Sequence, residues 1–189
     1  MQTGRPVHSP LRIPGATHYP EAFGPAAEAA VLEQLEGLRS TSEGGVKVFH
    51  CAETATRWMQ GCPPALDPLF DWLESDLSMP RPDSVEIRDY PPGTGDAGRR
   101  VDSSLYGPAV AVVALVSPVA LELSHGPQLK PLLLEPGDVL VLEGAARSQW
   151  ARGIARRPYD KVVFRADGEE METVRRYRHV QVTLRGLAR

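Results

Sequence analysis

Lysine is scarce in this chain, at positions 47, 130 and 161 only, and arginine makes up the rest of its 21 basic residues. Cysteine is scarcer. Cys51 and Cys62 stand alone, which excludes a disulfide framework and makes a reducing compartment the default. No apolar run approaches the roughly 20 residues needed to cross a bilayer, so no transmembrane segment is expected. The first 20 residues contain no acid. Five histidines occur, His8, His18, His50, His125 and His179, and none pairs with another or with Asp102 at a metal-ligand spacing.

What is present fits one folded domain of 189 residues with net charge −3. The charge is uneven: residues 147–189 hold eleven Arg or Lys against five acids. Such a basic stretch is either a solvated face or a dock for nucleic acid or an acidic protein. Residues 1–20 read as an extended arm. It resembles a weak organelle-targeting leader, although Pro6, Pro10 and Pro14 spoil an amphipathic helix.

From 21 to 189 the pattern is helical first and strand-like afterwards. Pro25–Arg39 places Ala27, Val31, Leu35 and Leu38 on one face, and Pro64–Leu77 does the same with Leu66, Leu69, Phe70, Leu73 and Leu77. Strands are expected at 46–49, 85–87, 109–116, 121–123, 132–134, 139–142 and 179–185, with a Pro-Gly turn joining the two buried runs around 136. The expected class is α+β, mainly β: a double-stranded β-helix, or jelly roll, with two N-terminal helices packed on one sheet.

Some chemistry-bearing residues read as structural. His50-Cys51 near Cys62 is an unconvincing metal or thiol site. The run at 91–96, Pro-Pro-Gly-Thr-Gly-Asp, lacks the helix and lysine of a phosphate cradle. Ser103 and Ser104 have no histidine base beside them. Trp58, Trp72 and Trp150 suit core positions, and Asp160, Asp167, Glu169, Glu170 and Glu172 read as a solvated acidic loop.

Three stretches in order carry a resemblance: RRVDSSLYGPAVAVVALVSPVALEL, LLLEPGDVLVLEGAARSQWARGI and YRHVQVTLRGL. Together they resemble the AlkB-like iron(II)/2-oxoglutarate dioxygenases, most of all the short mitochondrial AlkB homologue branch, over roughly residues 10–187. The resemblance implies a His-x-Asp and a distant histidine as iron ligands. Here the first position is Arg100, or Arg99 if the preceding loop is one residue longer. The carboxylate is Asp102, and the second histidine position is Arg152.

A guanidinium offers donors only and stays charged, so it cannot replace the imidazole lone pair that binds a metal. The resemblance also implies a co-substrate pocket at Tyr90, His179, Thr183 and Arg185, with His179 replacing the family's first arginine there and Gln181 its serine. The expectations are therefore no metal, no cofactor, no enzyme activity, and an ion pair of Asp102 with Arg100 and Arg152. The expected role is a structural or interaction subunit of a larger mitochondrial assembly, such as a respiratory-chain complex or mitochondrial ribosome, with other protein subunits as partners. The alternatives are an active oxygenase with an unusual metal site, using His179 or His125 with Asp102, or a nucleic-acid-binding module using the basic C-terminal region, which is not favoured.

Overall fold

The apolar run at 109–116 becomes the middle of a sheet covered on both faces, because a strand with no polar face has nothing to show to water. A computed structural model describes residues 7–8, 12–52, 60–163 and 171–187. In chain order the strands are β1 Val7–His8, β2 Ala16–Tyr19, β3 Thr41–Glu43, β4 Val46–Ala52, β5 Gln60–Gly61, β6 Ser84–Tyr90 and β7 Tyr106–Leu115. There follow β8 Val119–His125, β9 Gln128–Leu134, β10 Val139–Glu143, β11 Ala151–Ile154, β12 Tyr159–Val163, β13 Met171–Arg175 and β14 His179–Leu187. The helices are α1 Pro25–Leu35, α2 Asp67–Leu77 and the short α3 Gly144–Ser148.

The major sheet runs β1-β2-β10-β7-β14-β6-β4-β3, with β5 beside β4; the minor sheet is β11-β8-β9, and β12-β13 form a separate ribbon. The fold is mainly β, with antiparallel sheets and few helices. Period-2 alternation divides the core in two. On one face of the major sheet, Ala109, Ala111, Val113 and Leu115 of β7 join Val180, Val182 and Leu184 of β14. They pack with Val31 and Leu35 of α1 and Leu69, Phe70 and Leu73 of α2. On the other face, Val110, Val112 and Ala114 meet Leu121 and Leu123 of the minor sheet. Truncating one of these leucines to alanine costs about 2–5 kcal/mol.

Several boundaries move. The first helix stops at Leu35 rather than Arg39, just before Gly37, and the second begins with a 3-10 turn at Pro64–Leu66. The Pro-Gly turn does not make a hairpin: β9 lies in the minor sheet and β10 in the major one, so it hands the chain between sheets. Gly137 sits there at φ +89°, where a Cβ would overlap the Phe23 carbonyl oxygen. Asp138 accepts from the Glu21 and Glu135 amides, and its Oδ2 lies 2.8 Å from His18 Nε2. That fixes β2, the end of the stretch read as an arm, against β10.

The acidic-loop reading is corrected at Asp160, which lies on β12 and is fully buried. It accepts the Ala120 amide and the Arg157 guanidinium. Asp167, Glu169, Glu170, Trp58 and most of the first eleven residues lie outside the described residues. Among the described residues no helix is long and apolar enough to cross a membrane.

Candidate functional site

The face of the major sheet that looks toward the minor sheet is apolar on β7 and β10 but polar on β6 and β14. Alternation forces this: with Val85 and Ile87 turned to the helices, Glu86, Arg88 and Tyr90 must point inward. Likewise His179, Gln181, Thr183 and Arg185 share the inner face of β14, and all four are buried. Register places His179 opposite Tyr90, Thr183 opposite Glu86 and Arg185 opposite Ser84.

Two further elements close over this face. The loop before β7 brings Asp102, and β11 of the minor sheet brings Arg152. Main-chain hydrogen bonds of 2.9 Å in both directions pair Arg100 with Arg152, which zips that loop to β11. Arg147 of α3 holds the same loop from beneath. It is buried and donates to the carbonyls of Asp102, Ser103, Tyr106 and Gly107.

The centre is an ion-pair cluster. Arg152 grips Asp102 with two bonds, Nε to Oδ2 at 2.8 Å and Nη2 to Oδ1 at 3.0 Å. Arg185 Nε adds a third, to Oδ1 at 2.8 Å. The expected pair is therefore half right: Arg152 meets Asp102, whereas Arg100 is 44% exposed and reaches Glu86 at 3.0 Å instead. Arg99 turns the other way, to Glu122 on the minor sheet. Burial alone would raise the Asp102 carboxyl, but Arg152 and Arg185 hold it down at about 2. Glu86 behaves alike, raised by burial and carried below its usual value by Arg88, Arg185 and Arg100.

Around this centre Arg88 Nε meets Glu86 at 2.8 Å, and Tyr90 donates to Asp96 at 2.9 Å. Asp96 also accepts the Ile154 amide, and Gly95 lets its loop lie against the Ile154 carbonyl, so Gly95 serves packing while Gly93 serves the turn at φ +75°. His179 donates from Nδ1 to the Ser117 carbonyl at 2.9 Å, since a carbonyl only accepts. Burial pushes its pKa down to about 4, so the ring is neutral with a bare Nε2. Among the described residues Nε2 and the Gln181 Oε1 have no partner, while Gln181 Nε2 lies 3.4 Å from the Thr183 hydroxyl.

These residues do not fit a ferrous ion. Of the three positions that the resemblance sets against iron ligands, two are guanidiniums, and Asp102, the one carboxylate, has both oxygens engaged. His179 is tied to Ser117, His125 stacks on Trp150 at 5.6 Å, and neither meets Asp102 in a ligand set. Among the described residues, no three His, Cys, Asp or Glu side chains gather as a metal site. Cys51 is buried and its thiol is pushed up to about 11 by that burial, so it is an inert core residue. The residues expected to line a co-substrate pocket are likewise engaged internally, Arg185 with Asp102 and Tyr90 with Asp96. Sequence reasoning missed Glu86, Arg88, Asp96 and Arg147. The signal for the first two was Glu86-Ile87-Arg88, with two charges on the strand face opposite its apolar one.

No protein-family model matches the chain. It is 27% identical over 104 residues to the tRNA (carboxymethyluridine(34)-5-O)-methyltransferase ALKBH8 of Macaca fascicularis. That match takes in 54% of this chain and only 16% of the relative, so the chain spans about one sixth of the protein it matches. Its backbone superposes on the structure of OsALKBH1 with TM-score 0.63 and 14% identity, covering 92% of this chain and 98% of that one. A Pseudomonas putida prolyl-4-hydroxylase gives TM-score 0.59 and 13% identity, covering 93% of each.

The expectation that the chain is no enzyme does not stand. Its sequence relative is a methyltransferase by name and a structural neighbour is a hydroxylase, so the likeness leads to enzymes, and loss of activity is not shown. The chain has the AlkB-like 2-oxoglutarate oxygenase fold.

Proposed function

We propose that the chain is an AlkB-like domain of the short mitochondrial type, serving as an interaction subunit of a larger mitochondrial assembly. The observation that carries this reading is a stiff loop that presents apolar side chains to water. Leu105 is 74% exposed and Val101 41%, on the loop whose carbonyls Arg147 binds and whose Asp102 is locked to Arg152. Leu187, 53% exposed, lies beside it through the pairing of Leu187 with Tyr106. Exposed apolar residues on a fixed frame are presented in one geometry, as a protein partner requires.

The basic C-terminal region gives less support to nucleic acid. Arg147, Arg152, Arg176 and Arg185 are buried and bonded inside the protein, which removes four of the eleven basic residues from the surface there. The tagged chain in its native cells is expected to fractionate with mitochondria and to migrate in a high-mass assembly on native gels. The L105D/L187D double variant is expected to leave that assembly while keeping its melting temperature. Migration of the unaltered chain as a free monomer would overturn the reading.

A further inference from the structure

Asp102 lies on the loop before β7, Arg152 on β11 of the minor sheet and Arg185 on β14 of the major sheet. Their three hydrogen bonds, all 3.0 Å or shorter, join these three elements at one carboxylate. We infer that this ion-pair cluster stands in for a metal centre: it crosslinks the two sheets itself and closes the position to divalent cations.

Lone pairs decide the first part. A carboxylate offers about four, and three are taken by N–H donors whose side chains are at most 5% exposed. A cation would have to break the bidentate Arg152 contact to gain more than one oxygen. It would leave the Arg152 guanidinium buried without its carboxylate, the costly way to break a buried pair.

Charge decides the second. Among the inward-facing groups with nearly buried side chains, Glu86, Asp96 and Asp102 balance Arg88, Arg152 and Arg185, three against three. These six groups are neutral together, and a divalent ion would add two positive charges in a low-dielectric interior that already holds the buried Arg147 beside Asp102. Arg100 adds a further positive charge at its rim, 3.0 Å from Glu86. The inference depends on this chain's own side chains and not on its proposed role in an assembly.

Manganese(II) is the probe, being a stable, paramagnetic substitute for ferrous iron. The full chain is titrated with it, with and without 2-oxoglutarate, and followed by electron paramagnetic resonance, melting temperature and amide NMR. The free-manganese signal is expected to stay undiminished by equimolar protein, with no rise in melting temperature. A bound ion at ~100 times its Kd would raise it by several degrees. Stoichiometric binding that broadens the Arg152–Ile154 and Thr183 amides and is lost in D102N would overturn the inference. Binding that broadens only amides elsewhere leaves the position closed and supports it.

Discussion

Asp102→Asn keeps the shape of the side chain and removes its charge. Arg152 and Arg185 then face a neutral amide, half of which is itself a donor, with side chains 5% exposed and little water to take over. Removing one partner from a buried ion pair costs about 3–5 kcal/mol. The effect of the two arginines on the Asp102 carboxyl gives a lower figure. The carboxyl is held at about 2 against a usual 3.8. At 1.36 kcal/mol per pKa step that is roughly 2 kcal/mol.

Protonation costs less than substitution because both oxygens of a protonated carboxyl keep an accepting lone pair, whereas the amide NH2 only donates. For a domain of this size each kcal/mol moves the melting temperature by about 2–4 °C, so a loss of roughly 6–20 °C is expected for Asp102→Asn. Because the folded value is the lower one, this stability is complete above about pH 4 and is lost as pH falls through about 2. Thermal denaturation by circular dichroism at pH 7 and pH 3 reads both effects, with Asp71→Asn, 72% exposed, as the neutral control. A variant melting within about 2 °C of wild type at pH 7 would refute the reasoning.

His179→Leu is expected to flatten stability between pH 6.5 and 4. A ring whose folded pKa is about 4 costs roughly 3 kcal/mol as pH drops through that window, and urea titrations at pH 4.5 and 7 measure it. Arg147→Met deletes donors to two loop carbonyls and two at the start of β7 and is expected to speed hydrogen exchange at residues 102–107 at least ~10-fold, with the helix-side core unchanged. Uniform protection would show that the loop is held by other means. Gly137→Ala faces both a φ of +89° and overlap with the Phe23 carbonyl, so a loss of about 2 kcal/mol or more is expected in equilibrium unfolding. A neutral result would mean the turn relaxes.

How much of this was legible depended on whether the cause was local. The alternation of β14 and the unbroken apolar β7 write their burial into the sequence, because a strand's two faces follow directly from residue parity. The arginines at 100 and 152 were legible as residues that cannot ligate, since donor chemistry needs no coordinates. That Arg185 rather than Arg100 completes the Asp102 cluster was not legible. It depends on how closely β11 and its loop approach β14, a matter of packing between two sheets that brings together Arg152 and Arg185, 33 residues apart in the chain. Asp160 misled for a related reason: a charged residue in a polar stretch reads as solvated until its partners, Ala120 and Arg157, are brought beside it. Arg147 sat in a stretch quoted for its resemblance, yet nothing local reveals four carbonyls waiting above it.

The pairing of β2 with β10 has a consequence for how the chain is made. His18 and Asp138 are 120 residues apart, and the strands they join meet only when both have been synthesised. At roughly 5–20 residues per second, β2 leaves the ribosome about 6–24 s before its partner exists. During that interval its backbone edge is open, and the strand must be kept from pairing with other chains. Non-local pairing of this kind also slows folding itself. Until β10 is made, β2 has only the short β1 beside it, and one of its two edges waits for a strand from the far end of the chain.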